Sequence, residues 1–283
     1  MPITVTGLYI YPVKSLRGIS LQRAELTPQG LRYNGFRDRG WMIVNAKGGF
    51  LTQRQFPQQA LIHTHLTDDA LVLRRDGMEE LLIPHDYAGP GTVIEAEVWR
   101  DTCTTLDEGD AAASWLQQAI GWDKPVRLVR MAPEVQRPQS NPELLGENTH
   151  THFADAAPYL VANENSLSAL NKALADKGLN TVPMNRFRPN IVTDGLEAFA
   201  EHQLKTLTHS DYQLQFCYPC ERCIMTTIDQ DTAEKHPAME PFKTLVALNP
   251  MPEKKQAPAF AENGILTRGS GTNIQVGDCL EQN

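Results

Sequence analysis

The sequence predicts a mainly β protein with a few helices, an α+β chain long enough for two domains. Three observations lead there. Short β-branched and aromatic runs, separated by Gly, Pro, Asn and Asp, follow one another through the first 130 residues or so, which favours a barrel or a sandwich. Two segments carry the apolar spacing of an amphipathic helix. The length, 283 residues, suits two domains at roughly 100–200 residues each.

Residues 3–11 are β-branched and aromatic and stop at Pro12, which reads as a strand. Residues 41–45 and 50–54 flank Ala46-Lys47-Gly48-Gly49 and read as a hairpin. Residues 71–75 and 80–83 flank an Asp76-Gly77 turn signal. In 92–99, Glu95 and Glu97 alternate with Ile94, Ala96 and Val98, the pattern of a strand with one wet face. Residues 110–120 predict a helix with Ala111, Trp115 and Leu116 near Ala119 and Ile120 on one face, stopped by Gly121. Strand returns at 126–131. Residues 132–150 hold Pro133, Pro138 and Pro142 and few large apolar groups, and read as a crossover or lid between a first domain, 1–131, and a second, 132–283. A second helix is expected over 164–177, with Leu167, Leu170 and Leu174 on one face, Asn163 as cap and Gly178 as stop. Strand-like pieces follow at 190–192, 212–216, 223–228, 264–267 and 273–276, the last after the Gly269-Ser270-Gly271 turn.

Charge narrows the function. The formal net charge of −8 argues against nucleic-acid binding by phosphate neutralisation, while leaving room for one basic pocket. No apolar run approaches the ~18–20 residues of a membrane span. The N-terminus has no basic segment followed by an apolar core, so no signal peptide is expected and a cytoplasmic location is. Five Cys, an odd number, argue against a disulfide framework and for metal or catalytic use of clustered thiols. His150 and His152 read as solvent-exposed loop histidines, and Asp229, Asp231 and Thr232 as a plain turn.

The most informative stretch runs from Cys217 through Cys220 and Cys223 to Thr226-Thr227. Four readings stand side by side: structural zinc, an iron–sulfur cluster, buried free thiols on a core strand, and one functional thiolate. Zinc and iron–sulfur both want a further Cys nearby, and Cys103 and Cys279 stand alone. A functional thiolate is favoured by the adjoining Arg222 and by Arg186 and Arg188, because positive neighbours stabilise the nucleophilic and metal-ligating form.

Tyr11-Pro12-Val13-Lys14-Ser15, Arg37-Asp38-Arg39 with Trp41, Phe187-Arg188-Pro189-Asn190, and Cys220-Glu221-Arg222-Cys223-Ile224-Met225-Thr226-Thr227 occur in this order. In that order they resemble the MOSC-domain proteins, and more narrowly the mitochondrial amidoxime-reducing component and its bacterial counterparts. The resemblance covers nearly the whole chain and ends on Val276-Gly277-Asp278, like the family's closing strand. It implies two β-barrel-like domains, an N-terminal MOSC β-barrel followed by a MOSC barrel, and a molybdenum–molybdopterin cofactor. By motif position Cys223 is the implied metal ligand and catalytic centre, Cys220 is a second Cys that does not bind metal, and Cys217 lies outside the pattern. Lys14, Ser15, Arg39, Asp155, Arg188, Asn190, Arg222 and Asn263 match cofactor-binding positions. Around Asp155 the hydroxyl residues of the animal pattern are replaced by Ala156 and Ala157, and Glu221 replaces a Ser.

The activity so implied is reduction of N-hydroxylated compounds (hydroxylamino bases, hydroxylamines, amidoximes), with oxygen removed at molybdenum. Two other classes share these residues: a sulfur carrier using a Cys223 persulfide, and a non-catalytic cofactor-binding module. Some bacterial relatives carry a plant-type ferredoxin domain marked by C-x₄-C-x₂-C. After Cys223 this chain has only Cys279, so the expected electron source is an external flavin or iron–sulfur reductase acting in trans.

Overall fold

Ile3, Val5, Leu8 and Ile10 lie buried along the first strand, Ile3–Ile10, whose β-branched and aromatic residues suit a pleated backbone. The structure, a computed structural model, describes residues 2–139 and 141–282; Met1, Ser140 and Asn283 lie outside the described residues. The first strand pairs on both edges with strands from the far end of the chain, Ile191–Asp194 on one side and Cys279–Gln282 on the other. These pairings close a seven-stranded barrel. Its strands, numbered here in chain order, are β1 (Ile3–Ile10), β2 (Tyr159–Asn163), β3 (Ile191–Asp194), β4 (Thr206–Thr208), β5 (Gln213–Glu221), β6 (Ala259–Arg268) and β7 (Cys279–Gln282). The order round the barrel is β1-β3-β2-β6-β5-β4-β7 and back to β1. Gly7 sits where the β1–β3 register shifts, and a Cβ there would stand 3.0 Å from the Tyr9 ring.

Strands β2 and β3 are parallel, Val161 facing Ile191. A parallel pair needs a crossover, and a helix supplies it. Asn163 caps that helix, Glu164–Ala175, by accepting from the Asn165 backbone N–H. Its buried Leu167, Leu170 and Leu174 pack against Val192, Leu245 and Phe260. The capping residue and the buried face are those predicted; the helix stops two residues short of the expected Lys177.

A second core lies in the first half of the chain. Trp41–Asn45, Val126–Met131, Asp101–Asp107 and Val93–Val98 make one sheet, and His63–Leu66, Ala70–Arg74 and Leu81–Pro84 another. The helix Asp110–Ile120 buries Ala112, Leu116, Ala119 and Ile120 against Leu71, Leu73 and Leu128 and ends at Gly121 in the left-handed region. Ala111, expected on this face, is exposed. Asn273–Gln275 crosses back from the C-terminal end to pair with Arg23–Thr27. The mainly β expectation holds, with a closed barrel and a half-barrel. Among the described residues no helix is long and apolar enough to cross a membrane.

Three expectations are corrected. Residues 50–54 are not a strand. After an isolated Val44–Phe50 bridge, the Thr52 hydroxyl and backbone N–H both donate to Gln55 Oε1 and turn the chain. Residues 223–228 are not a strand either: β5 ends at Glu221 and Ile224–Thr227 is a 3₁₀ turn. Thr226 and Thr227 donate their hydroxyls to the carbonyls of Cys223 (3.1 Å) and Ile224 (2.7 Å), a local bonding that competes with sheet pairing. The crossover is partly regular, with Arg137–Pro138 paired to His150–Thr151 and a short helix at Pro142–Leu145.

Leu8 is fully buried in the core that β1 completes. Leu8→Ala is expected to lower unfolding free energy by about 2–5 kcal/mol, read from denaturant midpoints. A loss under about 1 kcal/mol would place β1 outside the cooperative core.

Candidate functional site

Where β1 ends, Pro12 stops the ladder and the chain turns under Trp41, whose carbonyl accepts from the Lys14 N–H at 2.8 Å. Tyr11 is the keystone of this turn. Its backbone N–H donates to Asp38 Oδ1 at 2.8 Å and its hydroxyl to the Pro189 carbonyl at 3.1 Å. The guanidinium carbons of Arg39 and Arg188 each lie 4.4 Å from the ring centre. Burial pushes the Tyr11 hydroxyl up to about 12, although both arginines oppose the rise.

Arg39 is ion-paired with the buried Asp38. It also donates to Asn190 Oδ1 at 3.1 Å and to the Arg188 carbonyl at 3.3 Å. Asn190 in turn accepts from the Leu160 N–H at 3.3 Å, which ties this cluster to β2. Arg188 donates to the Leu16 carbonyl at 2.7 Å. Burial draws its guanidinium down to about 10. Ser15, Arg39 and Arg188 all have positive φ, at 66°, 49° and 55°. Non-glycine residues enter this region at a cost and cluster at functional sites.

Lys14 is buried, donates to the Phe153 carbonyl at 2.8 Å and forms an ion pair with Asp155. Burial pulls the ammonium down and Asp155 holds it up. Burial raises Asp155, but Lys14, with the Trp99 indole N–H at 3.0 Å, holds this carboxyl well below the usual range.

The three clustered thiols differ. Cys223 is exposed at the N-cap of the 3₁₀ turn. Cys220 Sγ accepts from Arg222 Nη1 at 2.8 Å, and burial raises its thiol. Cys217 is pushed up to about 11 by burial and by Glu262. Among the described residues no group of three or more His, Cys, Asp or Glu is gathered as a metal ion would need. Arg222 also donates to the Phe187 carbonyl at 2.8 Å, while its Nε is buried without a partner. Glu221, which stands where the family pattern has a Ser, is paired with Lys254 at 2.6 Å.

One cavity of about 460 Å³ is lined by all nine residues singled out from the sequence: Lys14, Ser15, Arg39, Asp155, Arg188, Asn190, Arg222, Cys223 and Asn263. They come from segments more than 200 residues apart in the chain. Among the described residues Arg188 and Arg222 form no ion pair with a carboxylate, so the cavity keeps positive charge for an anion. Sequence reasoning missed Tyr218, Asn141 and Trp99. Asn141, in the crossover, donates to the Tyr218 hydroxyl at 3.0 Å, and Trp99 orients Asp155 from a turn between two strands. The one available signal was the exposed Trp beside Arg100. His152 is also corrected. It is largely enclosed, and burial, helped by Arg37, brings its imidazole down to about 4.

Residues 2–123 match the MOSC N-terminal beta barrel domain and residues 148–281 the MOSC domain. The chain is 34% identical over 282 residues to mitochondrial amidoxime-reducing component 1 of Homo sapiens, covering 97% of this chain and 81% of that protein. Identity to mitochondrial amidoxime reducing component 2 of Bos taurus is 34% over 263 residues, covering 91% and 77%. It is 31% over 247 residues to the molybdenum cofactor sulfurase of Bos taurus, covering 82% of this chain but 27% of that protein.

The Lys14–Asp155 pair has a pH signature. The carboxyl is depressed below its ordinary 3.8 only in the folded chain, so its stabilisation is present above that value and is lost as pH falls further. Asp155→Asn is expected to be less stable than the parent at pH 7, with the gap narrowing below about pH 4. A gap independent of pH in urea melts would mean the pair is not formed.

Proposed function

This chain belongs to the MOSC-domain family of the amidoxime-reducing components, and from that premise we propose a molybdenum-cofactor-dependent reductase of N-hydroxylated compounds. The substrate class is hydroxylamino bases, hydroxylamines and amidoximes. The observation that carries this reading is the exposed Cys223 in the same cavity as the guanidiniums of Arg188 and Arg222, which have no carboxylate partner among the described residues.

The donor set fits molybdenum–molybdopterin. A soft sulfur ligand suits a metal already held by sulfur, and Cys223 presents its sulfur to the cavity. The phosphate of the pterin wants cations and N–H donors. Arg188 and Arg222 provide both, and the partnerless Arg222 Nε marks capacity left over. Lys14, Ser15, Arg39, Asp155, Asn190 and Asn263 would complete the pterin's surroundings. When bound, the group supplies a two-electron centre at which an N–O bond is reduced.

The protein's own work is placement. Asp38 and Tyr11 hold Arg39, and Arg39 holds the Arg188 backbone, so the wall is set before anything binds. Asp155 opposes the effect of burial on the Lys14 ammonium and pairs with it. Lys254 pairs with Glu221, which also lines the cavity, and offsets its charge toward an anion. Electrons come from an external flavin or iron–sulfur reductase, since the sequence holds no G-x-G-x-x-G dinucleotide fingerprint.

Protein made in a host that synthesises the cofactor is expected to carry about one molybdenum per chain by elemental analysis, with pterin released on denaturation. Zinc or iron at that occupancy, without molybdenum, would defeat the proposal. Cys223→Ala is expected to change the metal's spectrum and abolish turnover, whereas Cys217→Ala and Cys220→Ala retain bound metal. The reverse pattern would move the ligand to Cys220. Reduced viologen should drive turnover, and NAD(P)H alone should leave the protein nearly inactive until a reductase is added. Steady turnover on NADH with this chain alone would overturn the donor in trans.

A further inference from the structure

Arg37 belongs to the Arg37-Asp38-Arg39 motif, yet it does not face the cavity that Arg39 lines. It lines a second cavity of about 460 Å³, which shares no lining residue with the first. This cavity lies between the Arg23–Thr27 and Gly30–Tyr33 strands on one side and the crossover on the other. Its charged lining is Arg32, Arg37, Arg137, His150, His152 and Glu25. Glu25 is engaged by Arg32, whose Nε donates to Glu25 Oε2 at 2.7 Å. Among the described residues Arg37 has no carboxylate partner.

Two polar atoms of this lining are buried without a partner, Arg137 Nη2 and His152 Nδ1. Arg137 is 2% exposed. Its Nε donates to Asp101 Oδ2 at 2.8 Å, and its Nη1 to the Ala154 carbonyl at 2.7 Å and to the His152 carbonyl and Thr151 Oγ1 at 3.1 Å. Nη2 is what remains. Buried polar atoms are normally satisfied, so two unsatisfied ones in a cavity this size point to a ligand that brings both an acceptor and a donor. The acceptor answers Arg137 Nη2 and the Arg37 guanidinium. The donor answers His152 Nδ1, because the imidazole, brought down to about 4, is neutral and its unpartnered nitrogen can accept.

We propose that this cavity is a binding site for a small protonated oxyanion of the phosphate class, held by Arg37, Arg137 and His152. Inorganic phosphate near neutral pH carries both acceptor oxygens and an O–H, whereas sulfate offers acceptors alone. The site stands independently of the cofactor reading, since it uses none of the same side chains. Arg137 nonetheless touches both regions: it holds the carbonyls of His152 and Ala154, and Ala154 lines the first cavity.

The test is a titration of the full chain with inorganic phosphate at constant ionic strength, following the His152 imidazole resonances by NMR. The expected result is a saturable shift with phosphate, a weaker response to sulfate and none to sodium chloride. Arg37 is exposed, so Arg37→Ala folds as the parent does; it should raise the half-saturation concentration about tenfold or more, on the scale of a lost charge-assisted hydrogen bond. Arg188→Ala, in the other cavity, should leave the His152 titration unchanged, which separates this site from any phosphate taken up in the cofactor cavity. A shift that does not saturate, that sodium chloride or sulfate reproduces, or that Arg37→Ala leaves intact would overturn the proposal.

Discussion

The burial of one guanidinium organises this molecule. Arg39 stands where the two halves of the chain meet, and a charge there is tolerable only if it is paired and its donors are met. Asp38 supplies the charge; Asn190, the Arg188 carbonyl and the Tyr11 ring supply the rest. These partners come from three segments, around Tyr11, Asp38 and Arg188–Asn190, so satisfying Arg39 fixes the end of β1, the loop before β3 and the wall of the cavity together. Removing one partner of such a buried pair would typically cost about 3–5 kcal/mol.

The same seam explains why the halves interlock. β1 comes from the N-terminal end, yet it is the strand that closes the C-terminal barrel. Asn273–Gln275 makes the reciprocal exchange, joining the sheet that begins at Arg23. The cavity lies on this exchange, with Lys14, Ser15 and Arg39 from one side and Arg188, Arg222 and Cys223 from the other. A site shared in this way forms only when both halves have folded. Its strained residues, Ser15, Arg39 and Arg188, persist because the surrounding bonds overdetermine their backbone.

Electrostatics then divides the arginines by pairing. Arg39 is held by Asp38, Arg186 by Asp229 and Arg137 by Asp101, and each of these still lines a cavity. Among the described residues Arg188 and Arg222 have no carboxylate partner and line the first cavity, and Arg37 has none and lines the second. The distinction is invisible in composition, where the chain is simply acidic at −8.

Much was legible in the residues themselves. Asn163 before an apolar Leu167-Leu170-Leu174 stripe specified a capped helix, because capping and periodicity are local. Gly121 marked a helix end through its left-handed backbone, also a local property. Through the family resemblance, seven residues of the first cavity were named from the four ordered motifs, and Asp155 and Asn263 from positions outside them. What the residues could not disclose was set by non-local bonding. Cys223 to Ile228 looks like a strand until Thr226 and Thr227 bond back to the turn, and residues 50–54 look like one until Gln55 captures Thr52. Asn141, Tyr218 and Trp99 entered the site only because the crossover and a distant turn pack over it. Arg37 and Arg39 are two residues apart, and local pattern alone treats them alike. The pairing of Asp38 with Arg39 holds that guanidinium at the first cavity while Arg37 lines the second, since only the folded chain determines which charge lies beside which partner.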